Sequence, residues 1–333
     1  MNSIELEKSL KELIKDKIPT FIWGSPGIGK SSIVKEVAKE LGLEFIDLRL
    51  SLLDPTDLKG IPFFDNSSKE AIWALPNFLP KDKNSKGVLF LDEINTAPPS
   101  VQAAAYQLIL DRKIGEYELP KGWAIVAAGN NLLDMGATFH MPSPLANRFV
   151  HIDLEVDFNA WKRWAYKKDI NPLIVAYLQY DNSKLFVFEP QVDNKAFATP
   201  RSWEYVNKIL NLNLDEELKY NLFRGAIGDE VASSFFSFLK VAKELVDLNL
   251  ILEGKEVEIK EDANTLFIVV AGLINRAKDA TKKELENIIK FSLKLPAEFS
   301  IMLIKDLEQI GINLYELEEF EKWVEEFGYL LED

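Results

Sequence analysis

The stretch Gly24-Ser25-Pro26-Gly27-Ile28-Gly29-Lys30-Ser31 decides how the first part of this chain folds. Its spacing is G-x-x-x-x-G-K-[ST], that of a loop whose glycines adopt positive φ, so that successive backbone N–H groups point at one anion. In such a loop Lys30 adds a positive charge beside the β- and γ-phosphates, and the Ser31 hydroxyl ligates Mg²⁺. With Ser32 as a further nucleotide-binding position, the stretch predicts a nucleoside triphosphate site.

The residues on either side of this loop place it between a strand and a helix. Residues 19–23 form a short apolar run that is typical of a buried strand. After the loop, apolar residues recur at helical spacing up to Gly42, which supplies a C-terminal stop: Ile33, Val34, Val37, Ala38 and Leu41. We therefore expect the phosphates to rest on a helix N-terminus.

The composition narrows the class of protein. The 333 residues include 53 acidic and 39 basic ones, a net charge of −14, which argues against broad nonspecific binding to nucleic acid and favours protein partners. The chain has no cysteine, which excludes disulfides, thiol catalysis and thiolate zinc sites. Two histidines, His140 and His151, are too few for an ordinary histidine metal cluster, and we assign neither any chemistry.

No segment of the sequence predicts export or a membrane span. Charged residues interrupt any apolar run near the N-terminus, so we expect no signal peptide. No uninterrupted apolar stretch approaches the length that a bilayer crossing needs. We therefore expect a soluble, cytoplasmic protein.

The pattern of the sequence changes once, after residue 154. Up to that point apolar runs alternate with helical patterns, at residues 20–23, 45–50, 87–91, 123–128 and 149–154. This alternation is typical of a parallel sheet with crossover helices, so we predict an α/β nucleotide-binding domain over residues 1–154. Amphipathic stretches dominate residues 155–333, which predicts an all-helical region.

A second chemical block is Gly87-Val88-Leu89-Phe90-Leu91-Asp92-Glu93. Four apolar residues that run into two carboxylates describe a buried central strand whose carboxyl end opens on the ligand crevice. Asp92 is placed to organise Mg²⁺ and its waters, and Glu93 to orient or polarise the attacking water. An acidic pair after a strand also occurs in ordinary solvated turns, but the loop at residues 24–31 favours the functional interpretation.

The two blocks resemble the Walker A and Walker B motifs of the AAA+ ATPases, and later segments resemble the MoxR-like branch. The run 123–128 ends in Gly129-Asn130-Asn131, where the family places a polar sensor beside the γ-phosphate, and Asn130 is the better match. Arg148 matches an arginine that reaches into the neighbouring subunit's site. Arg201 resembles the second sensor, at the start of a helix in the lid domain.

This resemblance implies a parallel-sheet AAA+ P-loop NTPase core followed by an all-helical lid and C-terminal helices. It implies insertions near residues 52–77 and 113–122, and hydrolysis of ATP with Mg²⁺. It also implies a homo-oligomeric ring, expected to be a hexamer, which remodels, activates or matures a protein partner in a chaperone-like manner. Members of this branch often act with a protein that bears a von Willebrand factor A domain, so the resemblance implies such a partner.

Several of these residues also have plain structural interpretations. Asn130 can cap a turn, because Gly-Asn-Asn tolerates left-handed backbone. Arg148 can pair with Asp153 or Glu155 on the surface, an interaction that is nearly neutral in energy. Arg112 can serve as the C-terminal cation of a helix over residues 98–111, or as a second contact to a neighbouring subunit.

The first insertion predicts a small hairpin. Asp54 can cap a helix begun by Pro55, and residues 60–64 and 70–73 can pair across a polar turn at 65–69. The large apolar residues of this hairpin are Phe63, Phe64, Ile72 and Trp73. They either form an exposed surface that grips a polypeptide or pack back on the sheet.

Two other classes of function stay open. A nucleic-acid motor or loader would need a basic stripe, and the nearest to one is Lys162, Arg163, Lys167 and Lys168. A nucleotide-dependent scaffold would bind ATP for assembly without significant turnover. The presence of Glu93, Asn130 and Arg148 argues against the scaffold.

Overall fold

The computed structural model describes residues 1–67, 70–115, 117–131, 141–189, 195–243 and 247–330; His140 lies outside these ranges. The chain divides into two compact units. One is built on Met1–Asp157, and the other on Phe158–Phe188 and the described residues from 195 onward.

The first unit alternates strands and helices. Its elements in chain order are α1 (Ser3–Lys15), β1 (Thr20–Trp23), α2 (Lys30–Glu40), β2 (Glu44–Arg49), α3 (Pro55–Lys59), β3 (Ile61–Asp65), β4 (Glu70–Ala74), β5 (Lys86–Asp92), α4 (Pro99–Asp111), β6 (Lys113–Ile114), β7 (Tyr117–Glu118), β8 (Gly122–Gly129), α5 (Ser143–Ala146) and β9 (Val150–Asp153). The apolar runs predicted as strands all form strands of one sheet.

That sheet has five strands in the order β2-β5-β8-β1-β9, and every neighbouring pair is parallel. The carboxyl ends of parallel strands lie at the same edge of a sheet, so the segments that follow β1, β5 and β8 leave it together. The fold class predicted from the sequence is confirmed: a parallel sheet with crossover helices, followed by a helical region.

Apolar clusters cover both faces of the sheet at its central strands, where successive side chains point to opposite faces. Phe21, Leu89 and Ile125 belong to one apolar cluster together with residues of α4. Their neighbours in the sequence belong to a second cluster with residues of α1 and α2. Burial on both faces explains why β5 and β8 are continuous apolar runs rather than alternating ones.

The predicted hairpin of the first insertion is confirmed. β3 pairs with β4 in antiparallel register, with Phe63 opposite Ile72. Phe63 and Phe64 are 51% and 60% exposed, whereas Ile72 and Trp73 are half-buried. The two phenylalanines therefore present apolar surface to solvent. A second, shorter hairpin pairs β6 with β7 inside the other insertion.

Helices joined by turns and loops make up the described residues of the second unit, which contain no strand. Its helices are α6 (Phe158–Lys167), α7 (Pro172–Tyr180), α8 (Pro200–Leu210), α9 (Glu216–Ile227), α10 (Asp229–Lys243), α11 (Leu248–Leu252), α12 (Ala263–Ala277), α13 (Lys282–Ser292), α14 (Ala297–Gln309) and α15 (Glu318–Phe327). The break between α6 and α7 falls at the turn before Pro172, where the Asn171 side chain accepts from the N–H of Leu173. Within the described parts of the chain, no helix combines the length and apolar character of a membrane span.

Candidate nucleotide site

The loop at residues 24–31 lies between β1 and α2, and its backbone geometry explains why glycine occupies several of its positions. Gly27 and Gly29 have φ of +80° and +98°, which side-chain-bearing residues rarely adopt. At Gly24 the reason is space, because a Cβ there would lie 2.5 Å from Ile28 Cδ1 and 3.0 Å from the Leu154 carbonyl oxygen. α2 begins at Lys30, so the N–H groups of its first turn lie beside the loop.

Lys30 connects the loop to the end of β8. Its buried Nζ donates to the carbonyl oxygens of Gly24 and Ser25, at 2.6 and 3.0 Å. The same Nζ donates to Asn130 Oδ1 at 3.0 Å. Two residues that the sequence proposed separately for the γ-phosphate region are therefore in direct contact.

Asp92 is the last residue of β5 and is buried, with its Oδ1 accepting from the N–H of Glu93 at 2.9 Å. Burial raises the pKa of Asp92 above its ordinary value, although that hydrogen bond and the charge of Lys30 act in the opposite direction. A carboxylate that is costly to desolvate gains most from a cation in its vicinity.

Asp92 and the Ser31 hydroxyl are the oxygen ligands that a Mg²⁺ ion would use here. Among the described residues no group of three or more acidic or histidine side chains is arranged to hold a metal. The usual magnesium site of a triphosphate enzyme needs only one or two protein oxygens, supplemented by phosphates and water. The buried Asp92 carboxylate and the Ser31 hydroxyl are donors of the type that such an ion takes.

Glu93 has an unusual backbone and two side-chain partners. Its φ is +57°, in the left-handed region, which turns the chain sharply at the end of β5. Its Oε2 accepts a hydrogen bond from Ser51 Oγ, and its Oε1 lies 3.6 Å from Arg49 Nε. Both partners follow from the pairing of β2 with β5, in which Arg49 is opposite Asp92.

Three contact residues of the site were missed by sequence reasoning: Arg49, Ser51 and Asn95. Ser51 and Arg49 contact Glu93, and Asn95 contacts the backbone of Asn130. Nothing in their local sequence marks them. Only the order of the strands, with β5 between β2 and β8, brings them to these positions.

The two remaining candidate arginines are exposed. Arg148 lies in the turn between α5 and β9, and no hydrogen bond or ion pair of its guanidinium is found within the described ranges, including the surface pairs with Asp153 or Glu155. Arg201 lies in the first turn of α8, in the helical unit, where Thr199 caps the helix by accepting from the Ser202 N–H.

Arg112 is engaged within its own chain. It ends α4 with φ of +56°, and its Nη2 donates to the carbonyl oxygens of Pro120 and Trp123, at 3.0 and 2.7 Å. These bonds tie the end of α4 to the segment that enters β8, which supports a structural role. His151 is also fixed, because Trp23 Nε1 donates to its Nδ1 at 2.9 Å and its Nε2 contacts the Ala146 carbonyl oxygen at 2.8 Å.

The parallel sheet, its phosphate-binding loop and the helical C-terminal region define the AAA+ P-loop NTPase fold. Residues 20–151 match the model of the ATPase family associated with various cellular activities (AAA). This stretch, which holds the phosphate-binding loop and most of the parallel sheet, is therefore similar to the AAA-type ATPases.

The solved structures to which this chain is similar have low sequence identity to it. A candidate ATPase from Cytophaga hutchinsonii is 20% identical over 66% of this chain and 62% of its own length, with a TM-score of 0.37. The RuvB Holliday junction branch migration motor of Thermotoga maritima is 19% identical, over 75% and 74% of the two chains, with a TM-score of 0.39. NtrX from Brucella abortus, in complex with ADP, is 14% identical over 93% and 68%, with a TM-score of 0.42.

Proposed function

We propose that this chain is a Mg²⁺-dependent ATPase of the MoxR-like branch of AAA+ proteins, which works as a ring to remodel, activate or mature a protein partner. The observation that carries the proposal is the contact between Lys30 Nζ and Asn130 Oδ1, at 3.0 Å. It joins the phosphate-binding loop to the sensor position, at the carboxyl ends of the strands, where Asp92 is the last residue of β5 and Glu93 follows it.

The chemistry divides among these residues by position and charge. The loop N–H groups and Lys30 would bind the phosphates, and Asp92 and Ser31 would hold the metal ion. Mg²⁺, when bound, would neutralise charge that develops on the phosphate oxygens. Glu93 would accept a hydrogen bond from the attacking water and align it, and Asn130 would hold the water or the γ-phosphate from the other side.

Completion of the site by a neighbouring subunit is the reason for the ring. The exposed Arg148 guanidinium lacks a partner within the described residues, so it is available to a second copy. An arginine supplied in trans would stabilise transition-state charge. Arg201, near the start of α8, would contact the triphosphate from the lid. A hexamer is the expected assembly.

Two features support a protein partner: the resemblance to the MoxR-like branch and one exposed apolar surface. Phe63 and Phe64 expose apolar area on a hairpin of the first insertion, which suits contact with a polypeptide. A partner with a von Willebrand factor A domain rests on the resemblance to the MoxR-like branch.

Burial of one cation weakens the case that the basic stripe binds nucleic acid. Lys162, one of its four cations, is 5% exposed and forms an ion pair with Asp306 at 2.7 Å inside the helical unit. The other three, Arg163, Lys167 and Lys168, are exposed. A protein partner is therefore favoured over a DNA-handling role, which the strongly acidic net charge also disfavours.

Phosphate release from ATP tests the enzyme assignment. We expect the wild-type protein with Mg²⁺ to turn over, and Glu93→Gln to keep its ATP affinity while its rate falls by about 10²–10⁴-fold. Glu44→Gln, an exposed position on β2, is the matched control and should behave as wild type. A wild-type rate in Glu93→Gln would refute the role of Glu93, and a wild-type ring that binds ATP without turnover would establish the scaffold instead. Capture of partners on the ATP-bound Glu93→Gln variant, followed by mass spectrometry, identifies the client.

A further inference from the structure

Asn95 holds the backbone of Asn130 at two points. It lies three residues after Asp92 and is 2% exposed. Its Nδ2 donates to the Asn130 carbonyl oxygen at 2.8 Å, and its Oδ1 accepts from the Asn130 N–H at 3.3 Å. The backbone N–H and C=O groups of the buried Asn130 are thus both hydrogen-bonded to the side chain of Asn95.

This contact extends the sheet beyond the last strand pair. β5 and β8 pair in parallel up to Leu91 and Ala127, and the N–H of Ile94 donates to the Ala128 carbonyl oxygen at 3.2 Å. The Asn95 amide then takes the place of a further strand residue. The segment after β8 is therefore tied to the segment after β5 at the residue where the sensor side chain leaves the backbone.

Gly129 makes this close approach possible. A Cβ at that position would lie 2.6 Å from Asn95 Oδ1 and 2.9 Å from Phe21 Cζ. Both distances are shorter than side chains tolerate, so a larger residue at 129 would displace the Asn95 amide.

We propose that Asn95 is a positioning residue that fixes Asn130, and through it the amide that contacts Lys30. A two-point hydrogen bond sets the orientation of the peptide groups on both sides of the Asn130 Cα, and therefore the direction of its side chain. The 3.0 Å contact between Asn130 Oδ1 and Lys30 Nζ depends on that direction. The inference rests on the proposed ATPase function, because it assigns Asn95 an effect on turnover.

Asn95→Asp is the sharpest single change, because it keeps the shape and the acceptor but replaces the donor to the Asn130 carbonyl with an oxygen. Gln102→Glu is the matched control: Gln102 is also buried, and its Nε2 likewise donates to a backbone carbonyl, that of Ala97, at 2.9 Å. We expect Asn95→Asp to lower kcat by roughly ten- to a hundredfold with KM for ATP changed by less than about threefold, as misplacement of a catalytic group does. Gln102→Glu should keep the wild-type kcat.

A double-mutant cycle separates positioning from general structural damage. Asn130→Ala removes the sensor amide and leaves the backbone that Asn95 contacts. If Asn95 acts through that amide, Asn95→Asp costs nothing further in kcat in the Asn130→Ala background. An equal loss of kcat in both backgrounds, or a wild-type kcat in Asn95→Asp, would overturn the inference while leaving the ATPase assignment intact.

Two further measurements keep the test decisive. Asn95→Ser, which is smaller and loses the reach to the Asn130 carbonyl, replaces Asn95→Asp if that variant does not fold. A crystal structure of either variant should show Asn130 Oδ1 moved away from Lys30 Nζ by about 1 Å or more, the scale of misplacement that affects catalysis. An unmoved Asn130 would refute the inference even if the wild-type protein proved not to hydrolyse ATP.

Discussion

Lys30 Nζ donates to Asn130 Oδ1 at 3.0 Å, although 100 positions separate the two residues in the chain. The contact exists because β1 lies beside β8 in the sheet, so that the segments after both strands start from the same edge. A buried ammonium is thereby held among three oxygen acceptors, the carbonyls of Gly24 and Ser25 and the Asn130 amide. Lys30, which we propose binds the phosphates, and Asn130, which we propose senses them, therefore belong to one hydrogen-bonded network.

Lys30→Ala should weaken ATP binding without unfolding the chain. Removal of the ammonium leaves phosphate charge unpaired in a partly desolvated pocket, so affinity should fall by about 1–3 kcal/mol, roughly ten- to a hundredfold. Isothermal titration calorimetry measures the loss. Lys39→Ala, at an exposed position in the last turn of the same helix, is the control and should bind as wild type. Unchanged affinity in Lys30→Ala would count against the loop as the phosphate site.

Arg148→Ala should separate binding from hydrolysis. An arginine finger contributes about 10³–10⁵ in rate in phosphoryl-transfer enzymes, so turnover should fall heavily while ATP affinity stays near the wild-type value. Phosphate release and nucleotide titration measure the two effects. Arg163→Ala, at an exposed position on α6, should have neither effect.

Mixing two inactive variants tests whether Arg148 acts across an interface. Arg148→Ala protomers keep Glu93, and Glu93→Gln protomers keep Arg148, so neighbours in a mixed ring form some sites with both groups. ATP turnover should reappear on mixing and should not appear when Arg148→Ala is mixed with itself. No recovery in rings shown to contain both variants would place Arg148 outside the mechanism or in cis.

Removal of one partner from the buried Lys162–Asp306 pair should strongly destabilise the helical unit. The two side chains are 5% and 1% exposed and 2.7 Å apart, and Tyr166 Oη also donates to Asp306 at 2.9 Å. Lys162→Met alone leaves a buried carboxylate without its counter-charge, so the free energy of unfolding should drop by about 3–5 kcal/mol. Urea unfolding, monitored by tryptophan fluorescence, measures the loss.

A double variant tests whether the two charged groups of this pair stabilise each other. Lys162→Met with Asp306→Leu removes both charges and should cost less than the sum of the two single changes, because neither charge is left alone. Strict additivity would show that the two groups do not stabilise each other.

Asp262 should make α12 sensitive to acid. Its carboxylate accepts from the hydroxyl and the N–H of Thr265, at 2.7 and 3.0 Å, and these bonds hold the pKa of Asp262 below its ordinary value of 3.8. For a lowered pKa, the stabilisation is complete above the ordinary value and is lost as pH falls through the pKa of the folded state. Asp262→Asn, which keeps a helix cap without the charge, should lose less stability than wild type on acidification below pH 3.8.

The loss of stability at neutral pH when the Asp262 cap is removed tests the structural role of this cap. Asp262→Ala removes both bonds at the start of α12 and should lower the free energy of unfolding by about 1 kcal/mol at pH 7. Thermal or urea unfolding between pH 2 and 5 measures the acid sensitivity of each protein. Equal acid sensitivity in the wild type and in Asp262→Asn would show that this carboxylate is not the titrating group.

The sequence by itself determined the phosphate-binding loop, the acidic end of β5, the five strands of the sheet and the hairpin of the first insertion. These features are local: glycine spacing sets a loop, and continuous apolar runs set buried strands. The boundaries of the predicted strands fall within a residue or two of those observed. Within the predicted all-helical region, α11 spans five residues and is too short to show a helical period in the sequence.

Only the tertiary structure decided which side chains meet. The sheet order places Ser51 and Arg49 against Glu93, and it places Asn95 against Asn130, 35 positions away. Helix packing likewise buries Lys162 against Asp306, 144 positions away, a partner that the short basic run around Lys162 does not indicate. Local periodicity fixes the face of an element on which a residue lies, whereas the partner of that face depends on how distant elements pack, because the energy of a buried polar contact is gained only when both groups are brought together and desolvated.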